Sequence, residues 1–270
     1  MSRTRQPRRI AAPWAGRAAI LIAGALSLLL PPAAPLRAQA TDPADDAARY
    51  SACMERARTA PQAAFTEAEA WSAQTSALPA RHCAAVALIG LGRTVEAAQR
   101  LGALAADVPE AATALRAELL AQSAQAWMMA GEAARAIAAL TTALALQPDN
   151  VEMLIDRSIA LASAGRYWEA VDDLNRALDL APDRPDILVL RASAYRSLDA
   201  DDLAADDLAR ALARDPDNLE ALLERGLLRQ RAGDVAGARA DWQRILALAT
   251  RGPAAAAARR NLQALESASR

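Results

Sequence analysis

The sequence predicts an all-α fold that is built as an array of antiparallel helix pairs. Similar stretches of sequence place Pro148, Pro182 and Pro216 at intervals of 34 residues, and a fixed period of that length indicates a repeat architecture. The composition agrees with this, because 53% of the residues are apolar, with much alanine, while aromatic residues make up 3%. Alanine is the best helix former and has a small side chain. This composition therefore favours many thin, closely packed helices over one large globular core.

The first forty residues have the features of a secretory signal peptide. They carry six arginines and no acidic residue, and an apolar run of 13 residues extends from Ala18 to Leu30. A helix that spans a bilayer needs ~20 apolar residues, so this run is too short for that role. Small residues at Ala38 and Ala40 favour cleavage after Ala40. We expect a periplasmic or secreted mature chain; an uncleaved anchor is the alternative.

Cleavage would leave an acidic exported chain. All 31 basic residues are arginine and six of them precede residue 41, so the remaining 25 face 32 acidic residues, a formal charge of −7. Nucleic acid is a poor partner for such a chain on both charge and compartment. After the leader, no second hydrophobic segment is long enough to cross a membrane.

The chain has two cysteines, Cys53 and Cys83. An even number of cysteines in an exported chain favours a disulfide between them. The alternative is a pair of buried thiols that act as small hydrophobic side chains. His82 is the single histidine, and no CxxC or HxxxH spacing occurs, so we expect neither a metal site nor a cofactor.

Four units align on the prolines, at 117–150, 151–184, 185–218 and 219–252. Each unit has a small residue at its eighth and twentieth positions, which lets two helices approach closely, and a large residue at position twenty-four. Three of the four units have glycine at position fifteen, which supplies the positive φ that a helix end requires. Proline near the end of a unit cannot continue the helix, and Asn150 and Asn218 are good N-caps for the next one.

These units resemble tetratricopeptide repeats, and the resemblance covers about half of the chain. It implies a right-handed superhelical array of antiparallel helix pairs with about thirteen helices. A weaker unit fits residues 78–111, within a degenerate N-terminal region at 41–116, and residues 253–270 read as a capping helix. Terminal units of such arrays need an atypical outer face to remain soluble.

A second periodicity places arginine at position seven and aspartate at position twenty-three of the last three units. The residues are Arg157, Arg191 and Arg225, with Asp173, Asp207 and Asp241. The unit at 117–150 has Ser123 and Ala139 at these positions, so both partners are missing together. This joint absence indicates pairing within a unit. We interpret the set as structural salt bridges between the two helices; a row of charges that contacts a ligand is the alternative.

The family resemblance also implies a partner-binding groove, because the first helix of each tetratricopeptide unit lines the concave face. The positions that usually contact ligands in this family correspond to Gln125, Met128, Ile155, Ile159, Val189, Ser193, Arg196, Leu223, Leu227 and Gln230. From the second unit onward these residues are largely apolar, and an exposed apolar stripe usually marks a partner site. Alternatively, tight curvature, the cap helix or a second copy covers the stripe.

No sequence motif supports catalysis. The chain lacks a Gly-rich phosphate loop, a Gly-x-Ser-x-Gly motif and a Cys–His pair with a supporting site. We therefore expect a non-enzymatic interaction module of the cell envelope that holds a peptide or helix of another exported protein in its groove. The alternative is a self-associating structural array, a homo-oligomer whose groove is covered by its own cap or a second copy.

Overall fold

The computed structural model describes residues 43–268, and these residues form thirteen α-helices without a β-strand. The proposed signal peptide at 1–40, with its cleavage site after Ala40, lies outside the described residues. The helices are α1 (Pro43–Thr59), α2 (Pro61–Thr75), α3 (Leu78–Gly90), α4 (Thr94–Asp107), α5 (Thr113–Met129), α6 (Ala133–Leu146), α7 (Val151–Ser163), α8 (Tyr167–Leu180), α9 (Pro185–Ser197), α10 (Asp201–Arg214), α11 (Leu219–Arg231), α12 (Val235–Leu248) and α13 (Pro253–Ala268). The predicted all-α array and its number of helices are confirmed.

Consecutive helices pack against each other along the whole described range, and each pair also contacts the next pair. The second contact runs through the first helices: α5 contacts α7, α7 contacts α9, and α9 contacts α11. We call the surface along these four helices the first-helix face. One continuous cluster of buried side chains extends from α3 to α13, as expected when each repeat buries its apolar surface against its neighbours.

The turns between paired helices form as the sequence predicts. Gly131, Gly165 and Gly233 have φ angles of 76°, 74° and 83°, in the left-handed region where glycine has no steric cost. Asp199 takes the equivalent place in the third unit with a φ of 57°, which aspartate tolerates better than most residues. The side chains of Asn150 and Asn218 accept hydrogen bonds from the amides of Met153 and Ala221, so both predicted N-caps are present.

The large residue at position twenty-four is buried in every unit. It is leucine in the first three units and Trp242 in the fourth, where the matching position eight is Gly226. A Cβ atom at Gly226 would lie 2.9 Å from Cδ1 of Trp242 and closer still to its Nε1. The tryptophan therefore requires the glycine, because the indole occupies the space that the alanine or serine side chain fills beside leucine in the other units.

This coupling predicts that Gly226→Ala destabilises the chain by about 1–3 kcal/mol, the usual cost of overpacking a core. The double variant Gly226→Ala with Trp242→Leu recreates the pairing of the third unit, Ala192 with Leu208. It should be more stable than the sum of the two single effects predicts. Urea unfolding followed by circular dichroism measures all three variants, and strictly additive effects would contradict the coupling.

Candidate functional site

The first-helix face contains three seams, each between the first helices of neighbouring units. Across a seam, side chains at positions nine and twelve of one helix meet the side chain at position six of the next. Gln125 of α5 meets Asp156 of α7 in this way, and Arg196 of α9 meets Glu224 of α11. The residue types at these positions therefore decide whether a seam is closed or open.

Polar bridges close the two outer seams. In the α5–α7 seam, Nε2 of Gln125 donates a hydrogen bond of 3.1 Å to Oδ2 of Asp156. In the α9–α11 seam, Nε of Arg196 donates to Oε2 of Glu224 at 2.7 Å, and Oγ of Ser193 donates to Oε1 of the same carboxylate at 3.4 Å. These charge-assisted contacts hold neighbouring units in register.

The middle seam, between α7 and α9, has no bridge at these three positions among the described residues; its one ion pair joins Glu152 to Arg184, the N-cap of α9, at the other end of the helices. Its positions nine, twelve and six are Ile159, Ala162 and Leu190, which are all apolar. They line a pocket of about 300 Å³ whose floor is formed by Ala170 and Leu174 of α8. We call this cavity the seam pocket. Its volume lies at the lower end of the range for ligand pockets, ~300–1,000 Å³, so it fits one apolar side chain better than a large organic ligand.

Hydroxyl groups surround the seam pocket, but most of them are already used. Ser163 donates to the carbonyl of Ile159 at 2.8 Å, and Ser197 donates to the carbonyl of Ser193 at 2.9 Å. Such bonds to the preceding turn consume the hydroxyl proton. Tyr167, at the start of α8, also lines the pocket. The wall therefore offers few hydrogen-bond donors, and the occupant that it favours is apolar.

The predicted groove residues differ in burial, and several are not exposed as the sequence predicts. Ile155 and Val189 are each 7% exposed and belong to the main core, so the prediction of an exposed apolar stripe through them was wrong. Position five faces the contact between neighbouring units, and packing against the next helix pair removes it from solvent. Ile159, 40% exposed, is the large aliphatic groove residue that stays accessible among the described residues.

The remaining members of the predicted groove fall into three groups. Gln125, Ser193 and Arg196 take part in the polar bridges. Met128, Leu223 and Leu227 are half-buried against the core cluster. Gln230 is exposed near the end of α11. The structure thus brings Ile159 and Ser193 together at the seam pocket, and sequence reasoning missed Leu190, which completes it from position six.

Carboxylates lie along the first-helix face beside the seam pocket. Glu152 and Asp156 precede Ile159 on α7 by seven and three residues, and Glu118 lies on α5. We call these three residues the acidic patch. Burial raises the pKa of Asp156 above its ordinary value; the hydrogen bond from Gln125 opposes this, and the charges of Glu152 and Glu118 raise the pKa further. The raised pKa of Asp156 is therefore mainly an effect of burial, to which the neighbouring carboxylates add a smaller contribution.

The arginine–aspartate pairs predicted from the second periodicity form within units. The guanidinium of Arg157 donates to both carboxylate oxygens of Asp173 at 2.7 and 2.6 Å, and Arg191 does the same to Asp207 at 2.7 Å for each bond. The pair of Arg225 and Asp241 has distances of 3.0 and 2.6 Å. Each aspartate is buried, so these pairs contact the protein interior and are not presented to a ligand.

Two of these arginines also connect neighbouring units, a contact that was not predicted from the sequence. Nη1 of Arg157 donates to Oγ1 of Thr141 at 3.3 Å, and Nη1 of Arg191 donates to Oδ1 of Asn175 at 2.6 Å. Thr141 and Asn175 both occupy position twenty-five of the preceding unit, where the third unit has Ala209. The polar residues at position twenty-five are the feature of the sequence that could have indicated these contacts between units.

The N-terminal helices are held together by covalent and polar contacts. Cys53 of α1 and Cys83 of α3 form a disulfide with a Cα–Cα distance of 6.2 Å. The adjacent His82 is buried, and its two ring nitrogens lie 2.7 Å from the hydroxyl of Tyr50 and 2.7 Å from Oε1 of Gln122. Because an amide oxygen can only accept, Nε2 of His82 carries the proton in the Gln122 bond. This histidine joins α1, α3 and α5 structurally.

The described range lacks the features of two other classes of site. No cluster of three or more histidine, cysteine or acidic side chains in residues 43–268 is suited to holding a metal ion. Among the helices of the same range, none has both the length and the apolar character that crossing a membrane requires.

Comparison with known proteins points to one repeat family. A tetratricopeptide-repeat family model matches residues 125–195, which include most of the residues that line the seam pocket. Similar solved structures include MamA, residues 41 to the end, from Desulfovibrio magneticus RS-1, with a TM-score of 0.55 and 19% identity, covering 63% of this chain and 94% of that one. A tetratricopeptide repeat protein from Parabacteroides merdae has a TM-score of 0.57 and 16% identity, covering 78% and 81%. At these identities the likeness shows the fold. No curated protein matches the chain in sequence.

Proposed function

Because the chain is a tetratricopeptide-repeat protein, we propose that it is a non-enzymatic interaction module of the cell envelope. It holds a peptide segment or helix of a partner protein on its first-helix face, and an apolar side chain of that partner occupies the seam pocket. The observation that carries this proposal is the contrast between the seams, since polar bridges close the outer two and the middle one presents Ile159, Ala162 and Leu190 around a cavity.

The disulfide supports the envelope as the compartment. Disulfides persist in oxidising environments and are rare in the reducing cytosol, and Cys53 and Cys83 are joined in the structure. The basic residues and the short apolar run within residues 1–40 also support export, because a secretory signal peptide has this composition. Both observations favour a partner that is itself exported.

Substitution of Ile159 by glutamate tests the proposal. A carboxylate placed at the mouth of an apolar pocket would be desolvated by an apolar ligand, so binding should weaken at least about tenfold, which corresponds to ~1.4 kcal/mol. The purified exported protein is immobilised, envelope extract is passed over it, and retained proteins are identified by mass spectrometry and then titrated as purified species.

Leu203→Glu is the matched control. Leu203 lies on α10 away from the pocket and is 48% exposed, close to the 40% of Ile159, so the two substitutions carry the same chemical change at similar exposure. A partner lost by Ile159→Glu and kept by Leu203→Glu supports the proposed site. Equal retention by both variants, each with native helical content, would contradict it. Mass measurement at micromolar concentration separates this function from self-association, because a second copy in the groove requires a concentration-dependent mass.

A further inference from the structure

We propose that the peptide recognised by this site is basic, with an apolar anchor residue for the seam pocket and an arginine or lysine two or three residues away that contacts the acidic patch. This inference rests on the proposed function and specifies the partner's chemistry. It joins two features of the first-helix face that are independent of each other, the cavity between α7 and α9 and the carboxylates next to it, two of which have no arginine partner.

The acidic patch and the seam pocket share one face of α7. Glu152 and Asp156 are separated by four residues, and Ile159 follows Asp156 by three, spacings that place the three side chains in one row along the helix. Asp156 therefore lies ~4.5 Å from Ile159 along the helix axis, and Glu152 lies ~10.5 Å from it. An extended peptide advances ~3.3 Å per residue, so a cation two or three residues from the anchor reaches this row.

The carboxylates of the patch are poorly neutralised by the protein. Asp156 is bonded to the neutral amide of Gln125, and Glu118 to the neutral amide of Gln122. Within the described residues, no arginine makes a salt bridge with either of them. Arg184 pairs with Glu152 but divides its charge with Asp186, at 2.6 Å in each case. A half-buried carboxylate without a cationic partner favours binding of a cation.

The rest of the face argues against an anionic peptide. The arginine nearest the seam pocket on α9 is Arg196, and its guanidinium is committed to Glu224. A peptide carboxylate would have to displace that bridge and would also face Glu118, Glu152 and Asp156 at close range. Like charges in such an arrangement suppress the wrong partner. The charge pattern therefore selects a cationic side chain beside the apolar anchor.

A set of short synthetic peptides tests this inference directly. Fluorescein-labelled peptides of Gly and Ser carry one leucine, with one arginine placed two or three residues before or after it. Matched peptides replace the arginine with glutamine or glutamate, or the leucine with serine. Fluorescence anisotropy titration should give at least about tenfold tighter binding for the best leucine–arginine peptide than for its leucine–glutamate counterpart. Raising the salt to ~1 M should reduce that ratio, because the Debye length falls to ~3 Å.

Two variants of the protein separate charge selection from anchoring. Asp156→Asn combined with Glu118→Gln should bring the arginine and glutamate peptides to nearly equal affinity, while Asp202→Asn combined with Asp206→Asn, which alters exposed carboxylates of α10, should keep the preference. Ile159→Glu should weaken binding of every leucine peptide. Circular dichroism verifies the helical content of each variant.

The outcomes distinguish this inference from the function on which it rests. Leucine-dependent binding that is equal for arginine and glutamate peptides would overturn the basic specificity and leave the seam pocket as the binding site. No binding by any peptide up to millimolar concentration would also overturn it. The proposed function fails on different evidence, namely equal capture of envelope proteins by the wild type and Ile159→Glu.

Discussion

Replacing Asp207 with alanine should lower the free energy of unfolding by about 3–5 kcal/mol, the cost of breaking a buried ion pair by removing one partner. The side chain of Asp207 is 4% exposed and that of Arg191 is 16% exposed. Removal of the carboxylate leaves the guanidinium half-enclosed with the amide oxygen of Asn175 as its remaining strong acceptor. Urea unfolding followed by circular dichroism measures the loss.

Asp206→Ala is the control for this experiment. Asp206 is the adjacent residue and is exposed, so its removal should change stability by no more than ~0.5 kcal/mol. The double variant Arg191→Leu with Asp207→Leu should recover much of the loss, because a buried pair can be replaced by apolar side chains at little cost. A loss for Asp207→Ala as small as that for Asp206→Ala would contradict a structural role for the pair.

Removing the disulfide should destabilise the N-terminal end of the array by about 3–4 kcal/mol on the chain-entropy model. Both sulfur atoms belong to buried residues, and the bridge links α1 to α3. The helices there form small separate core clusters, so few other contacts replace the lost link. The variant Cys53→Ala with Cys83→Ala, followed by hydrogen exchange, measures the effect region by region.

We expect the exchange to increase in α1, α2 and α3 and to stay unchanged in α9 to α12. In a repeat array each unit is stabilised mainly by its own contacts and those with its neighbours, so a local loss does not spread along the chain. Wild-type protein with its disulfide reduced is the control. It lacks the covalent bond but keeps both cysteine side chains, so it has no cavity of the kind that alanine leaves. Faster exchange along all thirteen described helices would indicate that the array unfolds as one cooperative unit instead.

The prediction of the fold succeeded where the signal was local and periodic. The turn glycines such as Gly165, the caps at Asn150 and Asn218, and the proline-punctuated helix ends act through φ preferences and bonds within a few residues. The pairing of Arg191 with Asp207 was also predicted, because its joint absence from one unit is visible in the sequence. Each of these features depends on a residue type and its position within the repeat, and both can be seen in the sequence.

The candidate site was predicted less well, because exposure depends on the neighbouring unit. Ile155 and Ile159 belong to the same helix and the same predicted stripe, yet the first is 7% exposed and the second 40%. Likewise, Gly226 reads as one more small residue at position eight, while the structure shows that Trp242 requires it. In both cases the outcome depends on a contact in the folded chain, and the repeat pattern does not indicate which residues make that contact.

The all-α class, the 34-residue period, the turns and the residues that share a helix face can be predicted from the sequence, since they follow from local conformational preference and helix geometry. Which seam of that face is open depends on the packing of one unit against the next. That choice depends on whether the side chains from two different units can form a polar bridge, as Arg196 and Glu224 do, or leave a cavity, as Ile159 and Leu190 do. Contacts between units are made by packing, and packing fixes which apolar side chains remain available to a partner.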